Sequence, residues 1–493
     1  MTESSEPPRL KVLSLNCWGL WLVADKRKQR LQAIAEWISN SNSNSPNRNS
    51  YHSDSTDFTT TEEEETATAS SGGGSGYDII ALQEIWVKSD FDLLTSKAKL
   101  VGLEYSKFFY SGCIGSGLGF LSRFPIEESF IKPYTLNGFA LNFIQGDFFA
   151  GKSICGITIE IPQLSGGGLV EVLNTHMFAP GGEGDRVEAA HRVAQGWELS
   201  KLVNEKIERG RHVILTGDFN SQPHSPIIQL LLNHSRLTDS FSQTHPEPPS
   251  IHSSQHRSLS PFEVLHTHGI TCDSPLNTYS KNKLKNKSPT DEIIIRGGKR
   301  LDYIFYRSPT PTNSASNACL KAISCSLKLT EPIPSSISSI SSPPISYSDH
   351  FALETIFTFV TSPPPPPPPP PEEEEDTSTT TTIELISQAS LLLSQSLSQN
   401  LSRTRFHLKL FLISLILIPI LLVASSFEPL KWLNWLIVLV GILNGAGGML
   451  MLLVGFVAGR WEMGGLKNLL GELEEEVERI KRRRRRRRGR SSW

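Results

Sequence analysis

His212-Val213-Ile214-Leu215-Thr216-Gly217-Asp218-Phe219-Asn220 passes from an apolar, β-branched run through a glycine to a carboxylate and an amide two residues apart. It reads as a buried strand whose end presents Asp218 and Asn220 together. The pattern recurs along the chain. Leu10 to Leu13 leads into Ser14-Leu15-Asn16, Asp78 to Ala81 into Leu82-Gln83-Glu84, and Val170 to Leu173 into Asn174-Thr175-His176. Arg300-Leu301-Asp302-Tyr303 and Ser348-Asp349-His350 complete the set, with Gly117-Leu118-Gly119 in between. Alone, each cluster is equally a strand cap or a turn. Together they predict polar groups converging at one sheet edge of an α/β fold.

The residue types suit metal-assisted cleavage of a phosphodiester, whose negative oxygens repel a nucleophile unless a cation or donor offsets them. Mg²⁺, with Mn²⁺ as the alternative ion, prefers hard oxygen ligands and keeps several waters, so Glu84 and Asn16 suffice to hold it. Asp218 and Asn220 point into one pocket, one orienting water or substrate and the other meeting a phosphoryl oxygen. His350 is the candidate general base, with Asp302 fixing its tautomer. His176 would donate to the phosphoryl group or stand near the leaving oxygen, and Asp349 would support metal or water from behind.

Residues Phe406 to Ala424, and about Trp435 through Val457, form two apolar stretches, each near the ~20 residues that cross a bilayer. The short joint between them, with Trp432 and Trp435 at interfacial depth, predicts a transmembrane helical hairpin over 403–460. Arg403, Arg405 and Lys409 precede it, and Lys481 with Arg482 to Arg488 follows, which predicts cytosolic flanks. The protein is therefore expected in an internal membrane, the endoplasmic reticulum or alternatively the mitochondrial outer membrane, with its catalytic domain in the cytosol. The basic tail of 461–493 is expected to meet anionic phospholipids.

A formal charge of −2 excludes a globally basic nucleic-acid binder, and no nucleic-acid partner is expected. Six cysteines without metal-site spacing fit reduced thiols rather than a disulfide framework. The opening Met-Thr-Glu-Ser-Ser-Glu-Pro-Pro lacks the apolar core of a secretory signal. Residues 1–8 are expected to be disordered and 9–360 to form one catalytic domain. Polar stretches at about 40–76 and 245–287 read as disordered insertions. The nine prolines at 363–371 open a solvated Pro/Glu/Thr/Ser-rich linker over 361–402 that holds the head off the membrane, although spaced Leu and Ile over 383–402 suggest a helix leading in.

Gly146-Asp147-Phe148-Phe149-Ala150-Gly151-Lys152-Ser153 matches a nucleotide-binding loop, but Ile154 to Ile161 alternates as a strand where that loop requires a helix.

The clusters resemble the endonuclease/exonuclease/phosphatase superfamily, and within it the neutral sphingomyelinases and the fungal inositol phosphosphingolipid phospholipases C. The resemblance rests on Leu15-Asn16-Cys17-Trp18-Gly19, Gly115-Ser116-Gly117-Leu118, Ser122-Arg123-Phe124-Pro125-Ile126, and Asn174-Thr175-His176 followed by His191-Arg192-Val193-Ala194-Gln195. It implies a four-layer α/β/β/α sandwich of two mixed sheets and a sphingolipid substrate cleaved to ceramide and a phosphorylated head group. Glu84 and Asn16 match the metal positions, while His176, Asp218, Asn220, Asp302, Asp349 and His350 match the catalytic ones. Asp147 and Lys152 resemble an ion pair that switches such sites between states. An inositol-polyphosphate phosphatase and a nuclease remain alternatives on the same fold.

Overall fold

Strand β1 (Arg9–Asn16) shows how the sandwich is assembled. Its side chains alternate with period two: Leu10 and Val12 enter one apolar cluster, Leu13 and Leu15 another, so both faces are covered. Strand β8 (His212–Asp218) does the same, with Ile214 on one side and Val213 and Leu215 on the other. The computed structural model describes residues 7–21, 23–42, 76–142, 146–162, 164, 168–180, 186–246, 260–280, 284, 297–310, 318–334, 344–360, 372–427 and 432–491.

Two six-stranded mixed sheets result. In the first, β1 lies between β2 (Ile79–Gln83), its parallel neighbour, and β12 (Ala352–Val360), which is antiparallel to it. In the second, β7 (Gly168–His176) runs parallel to β8, and β8 pairs antiparallel with β10 (Asp302–Arg307). The core between the sheets takes Leu10, Val12 and Ile79 from one and Val172, Ile214 and Ile304 from the other. Helices α1 (Arg27–Asn42) and α2 (Lys88–Lys99) cover the first sheet's outer face, and α4 (Arg186–Glu208) and α5 (Pro226–Asn233) the second's. This is the expected α/β/β/α order. Parallel pairing sets the ends of β1 and β2 at one edge, and those of β7 and β8 at another, so the polar termini meet across the inter-sheet seam.

Most of the expected insertion at 40–76 lies outside the described residues, as do residues 1–6. The stretch 245–287 departs from expectation in its described part. Pro261–His268 is a helix with a full capping box between Ser260 and Glu263, and it buries Val264 and Leu265 in the inter-sheet core. Two apolar residues on a well-capped turn were enough to fold a segment whose composition reads as polar.

Residues 361–371 of the expected linker are likewise not described, but from Glu372 the chain is one helix to Ser426. Its Ile386, Ala389 and Leu393 recur at helical spacing and pack with Leu136, Ala190, Val193, Ala194, Trp197 and Leu230 of the sandwich. Residues 383–402 therefore clamp the head to the helix pair rather than holding it away. A second helix, Leu433–Leu452, continues through a π-helical turn, Leu453–Ala458, into Gly459–Ser491, which returns to the same cluster through Leu466, Leu469 and Leu473. Both helices contain candidate membrane spans with large apolar side chains facing outward, such as Ile416, Leu422, Ile442 and Leu443. Ser414 and Asn444 join them reciprocally, Ser414 Oγ to the Asn444 carbonyl at 2.8 Å and Asn444 Nδ2 to the Ser414 carbonyl at 3.0 Å.

Candidate functional site

The clusters at Asn16, Glu84, His176 and Asp218 end strands, whereas Asp302 opens β10 and Ser348-Asp349-His350 precedes β12. Three residues at the strand ends take a left-handed backbone that only a few non-glycine residues adopt: Trp18 (φ 46°), Glu84 (φ 55°) and Asn220 (φ 47°). Such positions cost roughly 1–3 kcal/mol each and persist only where the surroundings enforce them. Gly217 has a simpler reason for its identity. A Cβ there would come within 2.1 Å of the Thr175 carbonyl, so β7 and β8 close on each other only with glycine at this point.

Across the seam, Asn16 Nδ2 donates to Glu84 Oε1 and to Asp218 Oδ2, both at 3.0 Å. His176 Nε2 faces the same two oxygens at 3.7 and 3.6 Å. His350 Nδ1 bonds Asp302 Oδ2 at 2.8 Å, and its Nε2 lies 3.9 Å from Asp218 Oδ2. The first sheet thus brings Asn16, Glu84 and the loop bearing His350. The second brings His176, Asp218 and Asp302. Asn220 donates its backbone N–H to Asp218 Oδ1 and its amide to the Met177 carbonyl, so it braces Asp218 and the loop after β7. Asp349 stands one residue from His350, and its charge raises Glu84.

Burial, then Asp349, lifts Glu84 above the ordinary carboxylate range, against Lys152 and the Asn16 hydrogen bond. Burial and repulsion from Asp302 push Asp218 up to about 7. Burial and Lys152 hold His176 well below its usual value, as a neutral imidazole. For His350, burial is overcome by Cys272, Asp302 and Asp218, which together hold it well above 6.5.

The donor set fits a hard divalent cation. Glu84, Asp218 and Asp302 are carboxylates with no Lys or Arg ion pair among the described residues, and Asp302 Oδ1 is buried without a partner there. Ligand atoms of Asp218, Asp302 and His350 all lie within 4.8 Å of one another. The Asn16 amide differs from expectation in its facing: its nitrogen meets Glu84, while Oδ1 accepts from the Trp18 N–H at 2.9 Å. Ligation by its oxygen requires the amide to turn over.

Lys152 Nζ is 3.2 Å from Asp147 Oδ1 and 3.0 and 2.9 Å from the two ring nitrogens of His176, with both partners of the ion pair buried. The residue after Lys152 begins strand β6 (Ser153–Ile161), so no helix follows to receive a nucleotide phosphate.

Sequence reading assigned no role to several residues that hold this arrangement. Arg30 is fully buried and donates to four carbonyls, those of Asp25 (2.8 Å), Cys17 (2.9 Å), Tyr347 (3.1 Å) and Trp18 (2.6 Å). It thereby ties the end of β1 to the loop leading into His350. Gln83 Nε2 donates to Asn174 Oδ1 at 2.7 Å, and Asn174 Nδ2 to the Leu82 carbonyl at 2.9 Å, which rivets the two sheets beside the site. Gln195 accepts from the Phe178 N–H and donates to the Leu136 carbonyl, which gives the His191-to-Gln195 motif its structural meaning. Thr271 Oγ1 accepts from the Asp302 N–H, and Cys272 pairs with His350 in an isolated β-bridge. Arg30 was hidden in the basic run Arg27-Lys28-Gln29-Arg30, where only its place on the buried helix face marks it out.

Comparison with known proteins gives three findings. The model of the Endonuclease/Exonuclease/phosphatase family matches residues 13–350. Inositol phosphosphingolipids phospholipase C of Schizosaccharomyces pombe is 30% identical over 483 residues, covering 95% of this chain and 94% of its own; the protein of that name in Saccharomyces cerevisiae is 30% identical over 362 residues, covering 73% and 66%. Among solved structures, sphingomyelinase C from Streptomyces griseocarneus aligns with 71% of this chain and 99% of its own, at a TM-score of 0.41 and 16% identity.

Proposed function

Because this chain belongs to the endonuclease/exonuclease/phosphatase family, we propose that it is a membrane-anchored, Mg²⁺-dependent phospholipase C that hydrolyses inositol phosphosphingolipids, sphingomyelin or both to ceramide and a phosphorylated head group. The observation that carries this reading is the union, in one chain, of the seam site with two outward-apolar helices that clamp directly onto the catalytic head. A nuclease or a phosphatase of soluble inositol phosphates has no use for that union.

Glu84, with Asn16 after its amide turns, would hold the cation, which when bound supplies positive charge to a phosphoryl oxygen. The protein's own groups account for the rest. Asp302 holds the Nδ1 proton of His350. Because Cys272, Asp302 and Asp218 favour the charged ring, Nε2 has first to give up its own proton before it takes that of an attacking water. Asp218, which Nε2 faces, steadies the charge that His350 then carries. His176, kept neutral by burial and Lys152, is a donor that does not neutralise the nearby carboxylates. Asn220 fixes the direction of Asp218.

Both ends of the helix pair return to the head, so the catalytic domain and the basic tail lie on one side of the membrane, which we assign to the cytosol. The deciding experiment is side-by-side turnover of inositol phosphoceramide and sphingomyelin by the full chain in mixed micelles, with inositol polyphosphate and DNA as competing substrates. Release of a phosphorylated head group from either lipid supports the reading. Turnover of only the soluble phosphate or the DNA overturns it.

A further inference from the structure

Two loops beside the site carry no acidic or basic side chain: residues 109–118 and 134–142. The first presents Tyr110 (68% exposed) and Ile114 (48%) to solvent, and the short helix Asp147–Ala150 beyond the second, whose one charged residue Asp147 is buried, presents Phe148 (39%). They form one ledge. Cys113 and Ile114 donate their backbone N–H groups to the Phe149 carbonyl at 2.8 and 3.2 Å, and a Cβ on Gly112 or Gly151 would run into the backbone of the facing segment, 149–151 or 112, at about 2.5 Å. Exposed apolar residues scattered singly are ordinary, whereas three on one uncharged ledge at the mouth of a site are not.

The position of this ledge is given by its contacts. Arg403 stacks its guanidinium over the Phe139 ring at 4.0 Å, three residues before the outward-apolar stretch opens at Phe406. The ring of Phe139 follows Gly138, where a Cβ would lie 3.5 Å from the Asp147 side chain and 3.6 Å from the Phe148 nitrogen. The ledge thus stands level with the point at which the helix pair enters lipid. It is also directly attached to the site, since Asp147 precedes Phe148 and pairs with Lys152, while the Ile85 N–H next to Glu84 donates to the Gly117 carbonyl at 3.0 Å.

From this geometry we infer that Tyr110, Ile114 and Phe148 rest in the interfacial layer of the bilayer that holds the two helices, so that a lipid passes from membrane to site without crossing water. The occupant of the surface is the bilayer itself: an uncharged aromatic and aliphatic edge, continuous with a candidate membrane span, matches the headgroup and acyl boundary. The inference rests on the membrane-anchored hydrolase reading, and its test separates the two.

In the full chain with Cys113→Ser, a polarity-sensitive nitrobenzoxadiazole probe is attached to Phe148→Cys or, as a control, to Leu100→Cys, which is exposed and lies at the far end of the α2 helix from the site. In phosphatidylcholine vesicles the probe at 148 is expected to shift to the blue and to be quenched by nitroxide-labelled lipid, while that at 100 stays in water. Equal behaviour of the two probes overturns the inference. In the second arm, Ile114→Ser combined with Phe148→Ser lowers hydrolysis of vesicle-borne sphingolipid about tenfold or more, as lost interfacial burial predicts, and leaves hydrolysis of bis(p-nitrophenyl) phosphate unchanged. An equal fall with the soluble ester makes these residues part of the site and overturns a membrane-contact role. If the unsubstituted protein cleaves neither substrate, the hydrolase reading fails, while the probe at 148 still decides where the ledge lies.

Discussion

Replacing Arg30 by methionine keeps most of its length and apolar stem but removes every donor. Four carbonyls then lose their partner: those of Asp25, Cys17, Trp18 and Tyr347. The guanidinium also sits over the Trp18 ring at 4.6 Å, a further contact that methionine keeps only in part. Buried acceptors left unsatisfied cost roughly 1–3 kcal/mol each. Against this stands relief from burying an ion with no carboxylate hydrogen-bonded to it, a penalty of several kcal/mol. The balance is a loss of about 3 kcal/mol, which for a domain of this size lowers the thermal midpoint by about 4 °C. Turnover should fall further than stability, because the lost bonds are those that hold the end of Asn16's strand against the loop bearing His350. Arg30→Lys keeps the charge but not the fork and should fall between. The assay is thermal unfolding of the full chain in detergent, followed by circular dichroism, with turnover measured well below the transition. An Arg30→Met protein with an unchanged midpoint and full activity would refute the clamp.

Three more outcomes are expected. His350→Ala and Asp218→Ala each lower turnover by at least ~10²-fold with the fold intact by circular dichroism, as loss of a base or a preorganised charge should; near-normal rates in both would remove the catalytic assignment. Glu84→Ala, and wild-type protein treated with a chelator, should both be inactive, with only the second recovered by added Mg²⁺; full turnover after verified metal removal would exclude a metal-dependent reaction. His212, buried with Nδ1 3.0 Å from Ser308 Oγ, is held at about 4 by burial. Folding therefore favours its neutral form, and its contribution is complete above pH 6.5 and lost as pH falls from 6.5 toward 4, a loss of about 3 kcal/mol; the fall in thermal midpoint between pH 7 and pH 5 should shrink in His212→Phe, and an identical fall would rule out this source.

The sandwich was readable because its strands are short, apolar and end in polar triplets, a signal that survives without tertiary knowledge. The convergence of Asn16 with Glu84 and of His176 with Asp218 was readable for the same reason, since the ends of parallel neighbours share an edge. Asp302 and His350 reach that edge from the starts of antiparallel strands. Less was legible where packing overrides composition. Residues 383–402 look solvated, yet Ile386, Ala389 and Leu393 find partners only because Trp197 and Leu230, far off in the chain, form a receiving face. Pro261 to Leu265 is hidden in a polar stretch, and the contribution of Thr271 and Cys272, just beyond that helix, to the site depends on a chain path that no local pattern encodes. Arg30 is the sharpest instance. A cation bonded only to carbonyls has no oppositely charged residue in the sequence to announce it.

The bonds from Asn16 to Asp218, from Gln83 to Asn174 and from Asp302 to His350 all cross from one sheet to the other. The constellation is therefore a vernier for the alignment of the two layers: a shear that leaves every ladder hydrogen bond in place, and every helix formed, still separates the base from its orienting carboxylate. Neither layer holds a partial enzyme that the other improves, so fragments divided between the sheets would recover activity only by re-forming the whole interface, and inactivation on heating should run ahead of any loss of secondary structure.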